Sequence, residues 1–317
     1  MPRCLGRPCA CPFIGAGGAL PADGGGLVRL GPVRSRYRGV SLLELLIALS
    51  LGLTLITTVM MQVLGGGRGQ RLQAAQAQMI EDAQIALDLL RADLMMAGHA
   101  WPRRAQTGSS GLASWGDDLA GPALLACDAG FASLPRNGAP RCTTVGAGLA
   151  SASSAVEIAY EADVYSTVVG SDGRPTDCLG NSIAPTVLPD GRLAFLAYNR
   201  WQISSSSGRS ELRCGGRGAS GPQPVVDQAE RLVLTWGLPV DATSGTALRY
   251  VSASQVTDFA QALAIRLCLQ MRSADALLGP QDMRTYRDCH GVTQSSSDGR
   301  LRRSFHTTVA WRHHRAR

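Results

Sequence analysis

Between Val40 and Leu64 the chain reads VSLLELLIALSLGLTLITTVMMQVL, with one charged side chain, Glu44. A helix rises 1.5 Å per residue, so this run spans roughly 37 Å and crosses a hydrocarbon core of about 30 Å. It is too long for the apolar region of an ordinary secretory signal, and no A-x-A cleavage pattern follows it. Arg34, Arg36 and Arg38 stand just before it. Positive charge stays on the cytoplasmic side, so everything after the run is expected outside the cytoplasm.

The cysteines agree with export. Cys127, Cys142, Cys178, Cys214, Cys268 and Cys289 are widely spaced beyond the apolar run. An even set of this kind points to disulfides in an oxidising compartment. Six cysteines allow fifteen pairings, and sequential pairing gives the shortest loops: Cys127–Cys142, Cys178–Cys214 and Cys268–Cys289. A loop of about 15 residues is worth roughly 3 kcal/mol through chain entropy. A metal cluster fits poorly, because no C-x-x-C occurs. Cys4, Cys9 and Cys11 lie apart, in the first eleven residues.

Composition removes whole function classes. The chain has 317 residues and 31 basic ones, all arginine. Without lysine there is no Walker A phosphate loop, no Schiff-base enzyme and no protein kinase. The formal charge is +7. Six of the arginines and a single acid lie before Val40, so the remainder is near balance and shows no basic stripe for nucleic acid. The histidines, His99, His290, His306, His313 and His314, form no H-E-x-x-H, and no G-x-S-x-G occurs. Asp117-Asp118 and Asp172-Gly173 read as turns. No catalytic residue, cofactor or metal ligand is expected.

Glu44 is the residue that a plain anchor leaves unexplained. A carboxylate one turn inside an apolar helix costs roughly 2.5–3.5 kcal/mol on an insertion scale. Its setting is Arg38-Gly39-Val40-Ser41-Leu42-Leu43-Glu44. A basic stretch, a glycine, an apolar residue and a glutamate at the fifth position resemble the class III signal of type IV prepilins. That resemblance implies cleavage by a prepilin peptidase between Gly39 and Val40, methylation of the new Val40 amine, and a register role for Glu44. A buried acid and a buried ammonium on neighbouring subunits are tolerable as a pair where each alone is not. The family's first residue is commonly Phe or Met, so Val40 departs mildly from the pattern. Residues 1–39 would be the leader. They are long for one, and a mis-called start, with the true one at Val28 or Val33, accounts for the aperiodic Met1–Gly26 stretch.

After the anchor, residues 40–64, the remainder 65–317 is expected to be a globular periplasmic domain. Gly65-Gly66-Gly67-Arg68-Gly69 should loosen a helix, at about 1 kcal/mol per glycine. Helical spacing returns over residues 70–98, with Leu72, Ala75, Met79, Ala83, Ala86, Leu90, Leu94 and Ala97 on one face. Strands are expected at Val156–Tyr160, Leu193–Tyr198, Leu232–Trp236, Leu248–Val251, Leu263–Met271 and Phe305–Trp311. Ser204–Ser210 and Gly215–Pro224 read as loops. The fold class is α+β, with one long N-terminal helix packed on an antiparallel sheet that carries long, disulfide-pinned loops.

Five segments resemble the PilW family of minor pilins: LDLLRADLMMAGHAWP at the helix end, Cys127-Asp128-Ala129-Gly130-Phe131, Thr176-Asp177-Cys178-Leu179-Gly180-Asn181, IRLCLQMRS and RLRRSFHTTVAWR. The resemblance implies an inner-membrane protein that joins a pilus at the cell surface. Its implied partners are other minor pilins, the major pilin, the peptidase, membrane lipid and a tip adhesin. The implied role is initiation of pilus assembly, and through it twitching motility and adhesion. Two alternatives remain open at this point: a J-like minor pseudopilin of a type II secretion system, and a membrane-anchored periplasmic enzyme or binding protein.

Overall fold

The computed structural model describes residues 39–101, 103–104, 112–113, 122–135, 138–144, 152–188, 190–206, 208–217, 221–240, 248–279, 282 and 285–311. Residues 1–38, most of the expected leader, with Cys4, Cys9 and Cys11, lie outside the described residues. So do Asp117-Asp118 and His313-His314. The chain forms two compact units, Met1–Met60 and Met61–Arg317.

The first unit is helix from Leu42 on. α1 runs Leu42–Met96 without a break. The glycine-rich stretch therefore does not interrupt it, contrary to the sequence expectation. Helix propagation is cooperative, and long runs of good helix formers on both sides outweigh a local cost of about 1 kcal/mol per glycine. The amphipathic part ends at Met96, two residues early. Gly98 takes φ 76°, the left-handed geometry that ends helices.

The second unit holds the strands. They are β1 (Arg103–Arg104), β2 (Leu112–Ala113), β3 (Leu124–Cys127), β4 (Phe131–Ser133), β5 (Arg141–Cys142), β6 (Ala155–Ala162), β7 (Pro185–Val187) and β8 (Leu193–Ser206). Then come β9 (Arg209–Gly216), β10 (Gln223–Asp227), β11 (Ala229–Pro239), β12 (Leu248–Val251), β13 (Ala264–Ala276), β14 (Thr285–Arg287), β15 (Thr293–Ser295) and β16 (Arg300–Ala310). Two sheets dominate. One has the order β10-β9-β8-β6-β3, with β7 beside the start of β8; the other has the order β12-β11-β13-β16. All their pairings are antiparallel. The single sheet expected from sequence is thus two. The chain passes from one to the other at Gln228, the one described non-glycine residue with positive φ, 60°.

The serine run is not a loop. Ser204↔Glu211, Ser205↔Ser210 and Ser206↔Arg209 are paired in a tight β8–β9 hairpin. Serine is a poor strand former alone, but here each residue is held by a partner strand. Gly215 and Gly216 likewise end β9, and Gln223 and Pro224 begin β10.

One core joins the second unit. The helix contributes Met79, Ala83, Ala86, Leu90, Leu94 and Ala97. The first sheet adds Val156, Ile158, Tyr160, Trp201 and Leu212; the second adds Leu232, Leu234, Trp236, Ile265, Leu267, Leu269 and Met271. Leu72 and Ala75, expected on the same stripe, are only half-buried. The helix's small alanines let its backbone approach the sheets, and Leu90 and Leu94 fill the gap. Leu90→Ala should cost about 2–5 kcal/mol in denaturant unfolding, whereas Ile85→Ala, on the exposed face, should cost less than about 1 kcal/mol.

Candidate functional site

The amino-terminal junction is open. Gly39 and Val40 precede the helix in non-helical backbone, and Val40 is 64% exposed. No atom lies within 4 Å of a side-chain position built at Gly39. Glu44 falls in the first helical turn and is exposed. A negative charge there complements the helix N-terminus, whatever else it meets. From Leu42 to Val63 the mean hydropathy is 2.1 and nothing is buried. The hydroxyls of Ser50, Thr54, Thr57 and Thr58 donate to carbonyls three or four residues back, at 2.8–3.0 Å. Those polar atoms are satisfied inside the helix, as lipid requires.

Three of the five segments singled out in the globular unit meet at the helix end. At the helix end, Asp93 accepts from Trp201 Nε1 at 2.6 Å and from Asn199 Nδ2 at 3.0 Å. Asn199 also contacts the Tyr160 hydroxyl at 3.3 Å and accepts from the backbone N–H of Cys178 at 3.0 Å. The Thr-Asp-Cys-Leu-Gly-Asn segment is therefore clipped to the helix through one amide side chain. Cys178 is bonded to Cys214 on β9. Asp177 folds the clip by accepting from the N–H groups of Leu179 and Asn181 at 2.9 and 3.0 Å, and Gly180 takes φ 77°. Gly216 leaves the space: a Cβ there would overlap the Asp177 carboxylate.

Trp311, at the end of RLRRSFHTTVAW, donates its indole N–H to the Ala97 carbonyl at 2.7 Å, closing the helix C-terminus. Gly98 N–H donates to Ala159, and Glu161 N–H to His99, so the chain leaving the helix joins β6. Asp128 accepts from Ala253 and Ser254 N–H at 2.8 and 2.9 Å, and Cys127 is bonded to Cys142. On β13, Cys268 is bonded to Cys289. Nearby, Gln270 Nε2 and Arg302 Nε each donate to Glu230 Oε2 at 2.8 Å. Arg302 also reaches Asp298 at 2.7 Å and, chiefly through that bond, holds its carboxyl well below the usual range.

Two polar groups escape the sequence reading. Glu157 and Arg200 are opposite each other on β6 and β8, paired at 2.6 Å and both buried. Arg200 donates to the carbonyls of Pro135 and Gly138, and Arg217 joins Glu157 at 2.7 Å. No local pattern marks this trio, because its members are 60 residues apart at the widest. Asp93 was legible in principle: it lies three residues after Leu90, on the border of the buried helical stripe.

Comparison with known proteins places this arrangement. Residues 201–313 match the family model of PilW, type IV pilus-assembly protein W. Over these residues the chain is similar to the PilW family. The match runs from the later part of β8 through β16, including Arg302 and Trp311. Among curated proteins no relative matches. A type IV-like pilin from Thermus thermophilus is similar among solved structures, at 10% identity and a TM-score of 0.35, over 74% of this chain and 96% of that one.

Burial pushes the Asp93 carboxyl up to about 6, against the lowering effect of Trp201 and Asn199. A carboxyl raised in the folded state stabilises most fully below its unfolded value, 3.8, and that contribution is lost as pH rises through 6. Unfolding free energy should therefore fall between about pH 4 and pH 7, by on the order of 3 kcal/mol from this group. Trp201 emission should report a midpoint near 6 that is absent in Asp93→Asn. Gly216→Ala should lower stability by about 1–3 kcal/mol, read by thermal circular dichroism, because Asp177 must give up its turn.

Proposed function

We propose that this chain is a minor pilin of a type IV pilus that acts when assembly begins, in the complex at the pilus tip. The PilW match over residues 201–313 carries the pilus assignment. The exposed Leu42–Val63 helix supports membrane storage before assembly. The open Gly39–Val40 backbone supports processing by a prepilin peptidase on the cytoplasmic face. The globular unit then lies in the periplasm until the subunit is drawn into the filament.

Glu44 is assigned the register role. Within a bundle of such helices its carboxylate meets the Val40 ammonium of a neighbouring subunit. The charges offset each other's desolvation only as a pair, so a subunit out of step leaves both unpaired. Other minor pilins and the major pilin are the proposed partners, with twitching and adhesion as downstream effects.

N-terminal sequencing and intact mass of the membrane-extracted protein test the reading. A chain that begins at Val40 with one added methyl is expected; one that still carries Arg38 would sink it. Glu44→Ala should leave membrane insertion intact and abolish surface piliation. Retained piliation in that variant removes the register role.

A further inference from the structure

We propose that Cys268–Cys289 is a thiol-exchange site, at which a dithiol opens this bond ahead of the other two. The inference stands apart from the filament reading and rests on how the two sulfurs are set. Cys268 is 4% exposed, on the face of β13 away from the core, while Cys289 is half-buried on the turn between β14 and β15. An incoming thiolate therefore meets Cys289 Sγ, and the sulfur that must leave is Cys268 Sγ.

His306 stands beside that leaving sulfur. It is the cross-strand partner of Cys268 on β16, and its Nε2 lies 3.8 Å from Cys268 Sγ. Exchange accelerates when the departing thiolate is stabilised, and an imidazole N–H or imidazolium does this directly. The other two bonds lack such a neighbour in the described contacts. Cys142 is exposed and open to attack, but its leaving partner Cys127 is 2% exposed, and the sulfur contact at this bond is made by Cys142, to the Ala126 carbonyl at 3.7 Å. Attack at Cys178 would expel Cys214 thiolate, 0% exposed, into the apolar core. Burial of a thiolate in apolar surroundings raises its energy and slows its release.

The chemistry balances with a dithiol as co-reactant. Its thiolate attacks Cys289 Sγ and forms a mixed disulfide while the Cys268–Cys289 bond breaks. The electron pair leaves on Cys268 Sγ, which takes a proton from His306 or solvent. The second thiol then attacks the mixed disulfide and releases Cys289 as thiol. The dithiol ends as a cyclic disulfide, oxidised by two electrons, and the protein gains two thiols.

The surrounding segment is built to survive opening. Asp288 is buried and accepts from His290 and Val292 N–H, each at 2.9 Å, and from Gln294 Nε2 at 3.0 Å. Arg302 keeps its grip on Asp298 and Glu230, and Ser304 Oγ donates to Arg287 O at 2.9 Å. The turn between β14 and β15 thus has non-covalent holds that reduction does not remove.

The test uses the full, membrane-extracted chain and dithiothreitol as the dithiol. Thiols are alkylated at timed intervals and located by peptide mapping. Cys268 and Cys289 should label together, on the order of tenfold faster than the other four cysteines. His306→Phe should erase that lead while the rates at Cys127–Cys142 and Cys178–Cys214 stay put; His306→Gln, which keeps a donor, should retain part of it. Earlier or simultaneous opening of Cys127–Cys142 in the unaltered protein overturns the proposal, and needs no variant. An undiminished lead in a folded His306→Phe chain overturns the role of the imidazole.

Discussion

The globular unit depends on one buried stripe of α1, from Met79 to Ala97, against two sheets at once. Neither sheet is large, and each needs an apolar surface on its inner side. The helix supplies it for both, through Ala83, Ala86, Leu90, Leu94 and Ala97. Each Å² of apolar surface that this contact buries contributes roughly 25 cal/mol. Its weak points are the helix end, where carbonyls lose their partners, and Asp93, a charge beside the stripe. Trp311 answers the first, and Trp201 with Asn199 answers the second.

The outer faces of the sheets follow a different rule. They carry charge, and the charge is paired under loops. Glu157 meets Arg200 and Arg217; Glu230 meets Arg302. Arg200 then spends its remaining donors on loop carbonyls. Buried pairs of this kind contribute little net stability against apolar alternatives, but losing one partner is costly. Their effect is to fix where each loop lies. A disulfide stands near each network, so covalent and ionic ties restrict the same segments. A chain with few aromatics and many glycines holds its shape through such ties rather than through a thick core.

The sequence was readable where periodicity and local chemistry decide. The anchor, the buried helical stripe and the alternation Ile265, Leu267, Leu269 and Met271 all follow from period alone. The five PilW-like segments were visible as strings, yet their meaning was not. Thr176–Asn181 is a turn that grips Asn199, and Asn199 grips the helix. The serine hairpin was misread, because four serines in a row have no strand propensity until a partner strand holds them. The helix through Gly65–Gly69 was misread in the same way: local cost was visible, and cooperative gain from both flanks was not.

By itself the chain's order of residues determined the lipid-length helix, the charge asymmetry around it, and a set of cysteines suited to an oxidising compartment. Those properties are local sums of hydrophobicity and charge, and no fold is needed to add them. Only the tertiary structure decided that there are two sheets, that Asp93 meets Trp201 and Asn199, and that His306 stands against one sulfur and not the others. Those are meetings of residues up to 214 positions apart, as with Trp311 and Ala97. Such meetings depend on strand register and sheet order, which long-range packing sets and no short window of sequence contains.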